Sequence, residues 1–164
     1  MFKTIIPPPL YLLAVGLAIY LAHHYVPSPM YPAIAIWGWL LSLMGFALVA
    51  WAGSTFRRAQ TTINPFAPAK ASTLVMHGPF QFTRNPMYLG FTLIVAGWAV
   101  WLNDWIDLLG IPLFAGGVTL LQIIPEEQAL QRRFGEEYSR YRQRVHRWIG
   151  SRRAYGPQQY TGNE

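Results

Sequence analysis

Residues 77–90 read HGPFQFTRNPMYLG and lie between two long apolar parts of the chain. Pro86 suits the first turn of a helix, where its missing N–H forms no hydrogen bond, and Asn85 suits the cap before it. Arg84 then lies beside the positive N-terminal end of that helix, which favours an anionic group. The stretch therefore predicts a helix start at which polar and aromatic side chains gather just before an apolar run.

Four apolar runs follow the pattern of membrane-spanning helices, because each is close to the ~20 residues that cross the hydrocarbon core. They predict spans at about 10–26, 31–53, 86–102 and 106–124. The short link at 27–30 predicts that the first two spans form an antiparallel hairpin. Pro112 predicts a kink or tilt in the fourth span. Small residues for close helix packing are Gly38, Gly45, Gly90, Gly97, Gly116 and Gly117.

Composition favours a membrane protein. Hydrophobic residues make up 52% of the chain and charged residues only 12%, about half of the roughly 25% that is usual in soluble domains. There is no cysteine, so a disulfide framework, a thiolate metal site and a cysteine nucleophile are excluded. The net charge of +6 does not predict nucleic-acid binding, because the basic residues flank the apolar spans.

The distribution of charge predicts the topology. Basic residues occur at Lys3, in the loop 54–84 and from Arg132 onward, and none lies in the links 27–30 and 103–105. With four spans, all thirteen lysines and arginines fall on one side, which the positive-inside rule assigns to the cytoplasm. We therefore expect a multi-pass protein of the inner (cytoplasmic) membrane, with both termini and the 77–90 stretch on the cytoplasmic side.

The chain after Pro125 predicts a long amphipathic cytoplasmic helix at 126–148. Its apolar side chains recur at helical spacing, and Glu126 shares their face; they are Leu130, Phe134, Tyr138, Tyr141, Val145 and Trp148. The predicted fold class is thus an all-α membrane protein with four transmembrane helices and this amphipathic helix, and a fifth, half-embedded helix is an open alternative. Residues 1–150 form one domain, and 151–164 form a polar, mobile tail.

Arg84 and Glu126 are the first candidate pair. One interpretation is a structural ion pair that closes the third and fourth helices at their cytoplasmic ends. The other is a clamp for a zwitterion, in which arginine binds a carboxylate and glutamate binds an ammonium group. An amino-acid headgroup, including that of S-adenosylmethionine, carries both charges.

Aromatic and histidine side chains leave further alternatives open. The cluster of Phe80, Phe82, Met87 and Tyr88 either packs the protein or forms a stacking wall for a purine or a sulfonium. His77 is a general base or merely part of a turn. For the pair His23-His24 we favour interfacial anchoring, because a haem or metal role needs a second ligand and His146 lies on the other side. No metal is predicted.

Two motifs carry a resemblance to a known family. Residues 74–90 read LVxHGPFxxTRNPMYxG, and residues 126–147 read EExxLxxxFGxxYxxYxxxVxR. This two-part pattern covers about the C-terminal half of the chain. It resembles the integral membrane methyltransferases of the isoprenylcysteine carboxyl methyltransferase family, with the phospholipid methyltransferases as relatives.

The resemblance implies a helical membrane enzyme that uses S-adenosylmethionine, and it implies the roles of individual residues. Glu126 would bind the amino group of the cofactor, and Phe80 would stack on it. The remaining cofactor-binding residues would be Thr73, Leu74, Val75, His77 and Gly78 around the adenosine, and Arg84, Asn85, Pro86 and Tyr88 around the methionine moiety. Gln122 stands at a substrate position where the prenylcysteine enzymes carry an arginine, which argues against a prenylcysteine substrate.

The predicted function is in-line methyl transfer to a lipophilic acceptor, with a carboxylate, thiol or amine as the nucleophile. Positioning supplies most of the acceleration in such a reaction. Arg84, Glu127 and His77 are the predicted catalytic residues, the last two as candidate bases for an amine. Two alternatives are a membrane NADPH-dependent reductase of the sterol-reductase type and a non-enzymatic membrane scaffold.

Overall fold

The computed structural model describes residues 7–26, 35–59 and 73–151. Its helices are α1 (Pro8–Tyr25), α2 (Ala35–Arg58), α3 (Pro86–Leu102), α4 (Gly110–Val118) and α5 (Ile124–Arg144), with short 3-10 helices at Gly78–Gln81 and Ile106–Leu109. No β-strand occurs in these residues, only isolated bridges such as Val145 with Ser151. The predicted all-α class is confirmed. Residues 31–34 of the second predicted span and 152–164 of the predicted tail lie outside the described residues.

Two helical stretches are long and apolar enough to cross a membrane, Ala35–Arg58 and Ile106–Arg144. α3 is equally apolar in character but has only 17 residues, and α1 ends in His23, His24 and Tyr25. These helices agree in position with the four predicted spans. The four-span topology itself stays a prediction.

α2 and α3 pack against each other as an antiparallel pair. Gly38 faces Gly97, and Gly45 faces Gly90, seven residues along each helix. A Cβ atom on Gly38 would lie 2.5 Å from the carbonyl oxygen of Gly97, and one on Gly45 would lie 2.6 Å from that of Gly90. Because only glycine allows the two backbones to approach so closely, the predicted small-residue faces are confirmed here.

α1 and α4 form a second antiparallel pair. The Tyr11 ring stacks on Phe114 with ring centroids 5.5 Å apart, and its hydroxyl donates to the Leu113 carbonyl oxygen at 3.0 Å. Ile19 covers Gly110 near the start of α4. The end of α1 and the start of α4 therefore lie together, and we call the region around His23, Asp104 and Asp107 the far end of the bundle.

The opposite end of the bundle is where α2 ends and α3 begins. We call it the site end, and it contains Arg58, Arg84 and Glu127. All arginines in the described residues lie in the last turn of α2, just before α3, or on or after α5.

The predicted fourth span and the helix after it form one helical stretch, so their separation at Pro125 was wrong. A π-helical segment, Thr119–Ile123, joins α4 to α5 without a break. Proline lacks the N–H that would bond to the carbonyl one turn earlier, and a wider π turn absorbs such a defect inside a helix. The chain therefore passes Pro125 while remaining helical.

The predicted continuous helix at 126–148 was also wrong. α5 ends at Arg144, and Gly135 has φ 50° and ψ −119°, which breaks the helix into two parts. Glu127 and Arg147 would be about 30 Å apart on a straight helix, yet their side chains meet at 2.7 Å. The second part of α5 therefore folds back on the first, because glycine tolerates a backbone conformation that other residues avoid.

The apolar side chains of α5 still share one cluster. Tyr138, Tyr141 and Val145 are buried together, with Leu130 and Phe134 packed against them. Trp148, which the periodicity placed on the same stripe, instead packs against the core between α1, α3 and α4. Trp148 lies beyond the end of α5 at Arg144, where the backbone at Val145 is extended, so helical spacing no longer determines its face.

Candidate active site

The corner before α3 is held by the chain that follows α5. The Arg84 N–H donates to the His146 carbonyl oxygen at 3.0 Å, and the Gly150 N–H donates to the Phe82 carbonyl oxygen at 2.8 Å. These bonds join residues more than sixty positions apart. The fold-back of α5 therefore brings the second sequence motif directly onto the first.

Side chains add to this pairing at the Arg147 carbonyl oxygen. It accepts hydrogen bonds from the Thr83 hydroxyl at 3.2 Å and from the Asn85 amide nitrogen at 3.0 Å. Asn85 does occupy the cap position of α3, but its side chain makes no capping hydrogen bond. The predicted cap position is therefore confirmed, while the side-chain amide binds the returning chain.

A buried ion cluster of three residues lies under the corner. Nη2 of Arg84 is 3.0 Å from Oε1 of Glu127, and Arg147 donates to both Glu127 oxygens, from Nη2 at 2.7 Å and from Nε at 3.1 Å. The Arg84 and Glu127 side chains are each only 9% exposed. Paired and hydrogen-bonded charges of this kind hold their geometry when buried.

The partner of Arg84 is thus Glu127, so the interpretation of Arg84 and Glu126 as a structural ion pair was wrong. Neighbouring helix residues point about 100° apart, so only one of the two glutamates can face Arg84. Glu127 faces it and is buried, whereas Glu126 faces α3. The apolar periodicity of the helix predicts instead that Glu126 lies on the face that carries the apolar side chains.

Glu126 meets α3 at a single hydroxyl. Tyr88 donates to its Oε1 at 2.6 Å, and no ion pair of Glu126 occurs among residues 7–26, 35–59 and 73–151. Burial raises the pKa of the Glu126 carboxyl to about 7, an effect that the Tyr88 hydrogen bond opposes and the charge of Glu127 increases. A half-buried carboxyl in this position gains most from a cationic partner.

Arg84 retains donors that no described residue uses. Its Nε and Nη1 atoms are buried and have no hydrogen-bond partner. Leaving such donors unsatisfied costs more than a typical hydrogen bond contributes, so the guanidinium suits an anionic ligand. The corner therefore offers donors for an anion on Arg84 and an acceptor for a cation on Glu126.

Residues predicted around the adenosine do not all reach this corner. Val75 and Phe80 are buried in a cluster with Ala52, and Phe80 meets the Phe56 ring edge-on at 4.9 Å between centroids. In the structure, the Phe80 side chain packs between the end of α2 and the start of α3. Leu74 packs against the Tyr138 cluster.

Thr73 and His77 are exposed, and Gly78 has a structural role. Gly78 has φ +62°, and a Cβ atom there would lie 3.0 Å from the Thr55 hydroxyl oxygen. Any larger residue would strain the turn that leads to the corner. Pro86 occupies the first turn of α3 as predicted, and Gln122 is buried in the π-helical segment, about one turn before Glu126.

A surface groove of about 490 Å³ runs beside the second part of α5. Met76, Gln81, Arg140 and Arg144 are among its lining residues. None of the predicted cofactor-binding residues lines this groove.

Arg147 is the important residue whose role sequence reasoning missed. It supplies both the carbonyl that holds the corner and the guanidinium that holds Glu127. The signal was present, because the second motif ends on this residue. Its partner could not be recognised without the reversal at Gly135.

Comparison with known proteins identifies the class to which this helical fold and charged corner belong. A family model described as phospholipid methyltransferase matches residues 33–137. An uncharacterized protein of Haemophilus influenzae is 41% identical over 63 residues, which is 38% of this chain and 100% of that protein. No solved structure matches the chain.

The chain belongs to the phospholipid methyltransferase family, because the family model covers more than half of it. It is therefore a member of a family of membrane methyltransferases. This result confirms the resemblance drawn from the two sequence motifs.

Proposed function

We propose that the protein is an integral membrane methyltransferase that transfers a methyl group from S-adenosylmethionine to a lipophilic acceptor. Membership of the phospholipid methyltransferase family supports methyl transfer. The observation that carries the choice of cofactor is the corner itself, where Arg84 has two unused buried donors and Glu126 has one neutral partner.

The two groups suit the amino-acid end of the cofactor. The carboxylate of S-adenosylmethionine would accept hydrogen bonds from Nε and Nη1 of Arg84, and its ammonium would pair with the Glu126 carboxylate. Glu127 and Arg147 do not compete for this ligand, since they bind each other and hold Arg84 in place.

When bound, the cofactor supplies an electrophilic methyl group on a sulfonium. The chain's own residues would bind and orient it, which is the main contribution that such a transfer needs. A carboxylate or thiolate acceptor requires no general base. Both oxygens of Glu127 already accept from guanidinium groups, so for an amine acceptor we assign the base to His77, which is exposed beside the corner segment.

The proposed membrane placement has four spans, with the site end on the cytoplasmic side of the inner membrane. The arginines of the described helices lie in the last turn of α2 and on α5, which supports this placement under the positive-inside rule. The cofactor would then enter from the cytosol and the acceptor from the lipid. Gln122 carries no positive charge for a substrate carboxylate, so we do not extend the proposal to a prenylcysteine.

Calorimetric titration of the detergent-purified full chain tests the proposal, with S-adenosylhomocysteine and NADPH as separate ligands. We expect saturable binding of the first. Glu126→Gln should weaken it roughly 10- to 100-fold, because a hydrogen bond between charged groups contributes about 1.5–3 kcal/mol. Glu136→Gln, an exposed glutamate on the same helix, is the matched control. Binding of NADPH alone would favour a reductase, and binding of neither ligand would favour a scaffold.

A further inference from the structure

The far end of the bundle contains a second cluster of charged side chains, separate from the candidate active site. Nδ1 of His23 lies 2.5 Å from Oδ2 of Asp104 and 3.2 Å from Oδ2 of Asp107. These ligand atoms all lie within 4.8 Å of one another. They come from the end of α1 and from the connection between α3 and α4, so the cluster joins two separate parts of the bundle.

Two carboxylates and one histidine make up this cluster, so its formal negative charge exceeds its positive charge. Asp104 and Asp107 are 4% and 1% exposed. Among the described residues, no lysine or arginine occurs in 7–26, 35–56 or 85–131, the segments that form α1, most of α2, α3 and α4. One histidine can neutralise at most one of the two carboxylates. Buried charges at the edge of a membrane require compensation by a partner.

Asp107 also has an oxygen that is not used. Its Oδ2 contacts His23, while its Oδ1 is buried and has no hydrogen-bond partner. Because both oxygens belong to one carboxylate, Oδ1 lies at the same cluster. A nearly fully buried carboxylate oxygen with no donor beside it is a suitable ligand atom for a cation.

We propose that His23, Asp104 and Asp107 bind one divalent metal ion, with Zn²⁺ as the best-fitting probe. One imidazole nitrogen and two carboxylates form a mixed nitrogen–oxygen ligand set that zinc accepts. A divalent ion with neutral His23 would bring the charge of the cluster to zero. It would also tie α1 to the α3–α4 connection at the end opposite to the methyl-transfer corner.

The distances suit this ion with a small adjustment. Zinc–ligand bonds of about 2.0–2.1 Å in a tetrahedron place ligand atoms roughly 3.3 Å apart. The His23–Asp107 distance of 3.2 Å already agrees, and the Asp104 carboxylate would move outward. The His23 side chain is 35% exposed, so an ion and a water ligand have access. No metal is predicted here from the sequence, because the second ligand considered was His146 on the other side, whereas the additional ligands are carboxylates about eighty residues after His23.

The test is a titration of the metal-stripped full chain, with the purification tag removed, using ZnCl₂ in a calorimeter. We expect one saturable site and a higher thermal unfolding temperature that chelation reverses. His23→Gln and Asp107→Asn should each weaken binding at least about 10-fold, a loss that even outer partners of metal ligands cause. His24→Gln is the matched control, because this neighbouring histidine is not a member of the cluster.

Two results would overturn the proposal. One is the absence of saturable Zn²⁺ binding to the wild-type chain, and the other is binding that His23→Gln and Asp107→Asn leave unchanged. Should these variants fail to fold, X-ray absorption of the zinc-loaded wild-type protein decides the matter. A first shell of oxygen and nitrogen with one imidazole supports the site, and a shell with two or more imidazoles or with water alone contradicts it.

Discussion

The two ends of the bundle bury carboxylates in opposite ways. At the site end, Glu127 lies between Arg84 and Arg147, so fixed cations from the chain match its charge. At the far end, Asp104 and Asp107 share the single ring of His23. The site end is thus a preorganised scaffold in which, among the described residues, Glu126 and part of Arg84 remain for a ligand. At the far end, by contrast, the described helices α1, α3 and α4 carry no lysine or arginine to match the two carboxylates.

The largest expected effect is the loss of the Glu127 charge. Glu127→Gln would leave two guanidinium groups, one of them buried, without their counter-ion. Removing one partner of a buried ion pair costs about 3–5 kcal/mol. Thermal unfolding in detergent should show this loss, while Glu136→Gln at an exposed position stays within about 0.5 kcal/mol of wild type. Equal stability of the two variants would show that the ion cluster does not hold the site end together.

The next effect concerns Gly135, where the chain of α5 reverses direction and so brings the second motif to the site end. Gly135→Ala places a side chain on a backbone with φ 50° and ψ −119°, and strain of this kind costs about 1–3 kcal/mol. Gly53→Ala is the matched control, since a Cβ atom there has no neighbour within 4 Å. We expect the first variant alone to lower the unfolding temperature. It should also weaken binding of S-adenosylhomocysteine while leaving Zn²⁺ binding at the far end intact.

The pH dependence of ligand binding follows from Glu126. The carboxyl has a pKa raised to about 7, and an ammonium group pairs with its ionised form. Affinity for S-adenosylhomocysteine should therefore rise with pH up to about 7 and level off above it, falling roughly tenfold per unit below. Titrations at several pH values measure this profile. A flat wild-type profile, identical to that of Glu126→Gln, would remove Glu126 from the site.

The smallest expected effect is that of Tyr88→Phe. This variant removes one hydrogen bond to Glu126, a contribution of about 0.5–1.5 kcal/mol. Because that bond opposes the rise in the Glu126 pKa, the midpoint of the binding profile should move to higher pH. Thr92→Val, which alters a hydroxyl that bonds to its own helix, is the control. An unchanged midpoint in Tyr88→Phe would show that this hydroxyl does not tune the carboxyl.

Much of this architecture could be predicted from local sequence. Pro86 marked the start of α3, the glycines at 38, 45, 90 and 97 marked the close α2–α3 contact, and the two motifs marked the family. These features depend on residues near one another or on short periodicities. Such signals can be recognised in the sequence without knowledge of the tertiary fold.

What could not be predicted depends on a few backbone dihedral angles and on distant contacts. The apolar periodicity of α5 held as far as Val145, but Trp148 lies beyond the end of the helix, and the unusual conformation of Gly135 brought Arg147 to Glu127. The choice between Glu126 and Glu127 as the partner of Arg84 depended on the rotation of α5 about its axis. The rotation of α5 is set by the π-helical segment that directly precedes it.

The most direct test of the central claim compares S-adenosylhomocysteine with methylthioadenosine, which has the same nucleoside but lacks the amino-acid end. Both ligands are titrated into wild-type protein and Glu126→Gln. We predict that Glu126→Gln weakens binding of S-adenosylhomocysteine roughly 10- to 100-fold and leaves binding of methylthioadenosine almost unaffected. The reason is that the lost interaction involves the ammonium group, which methylthioadenosine lacks. Equal weakening of both ligands, or of neither, would contradict the claim that Glu126 and Arg84 bind the amino-acid end of the cofactor.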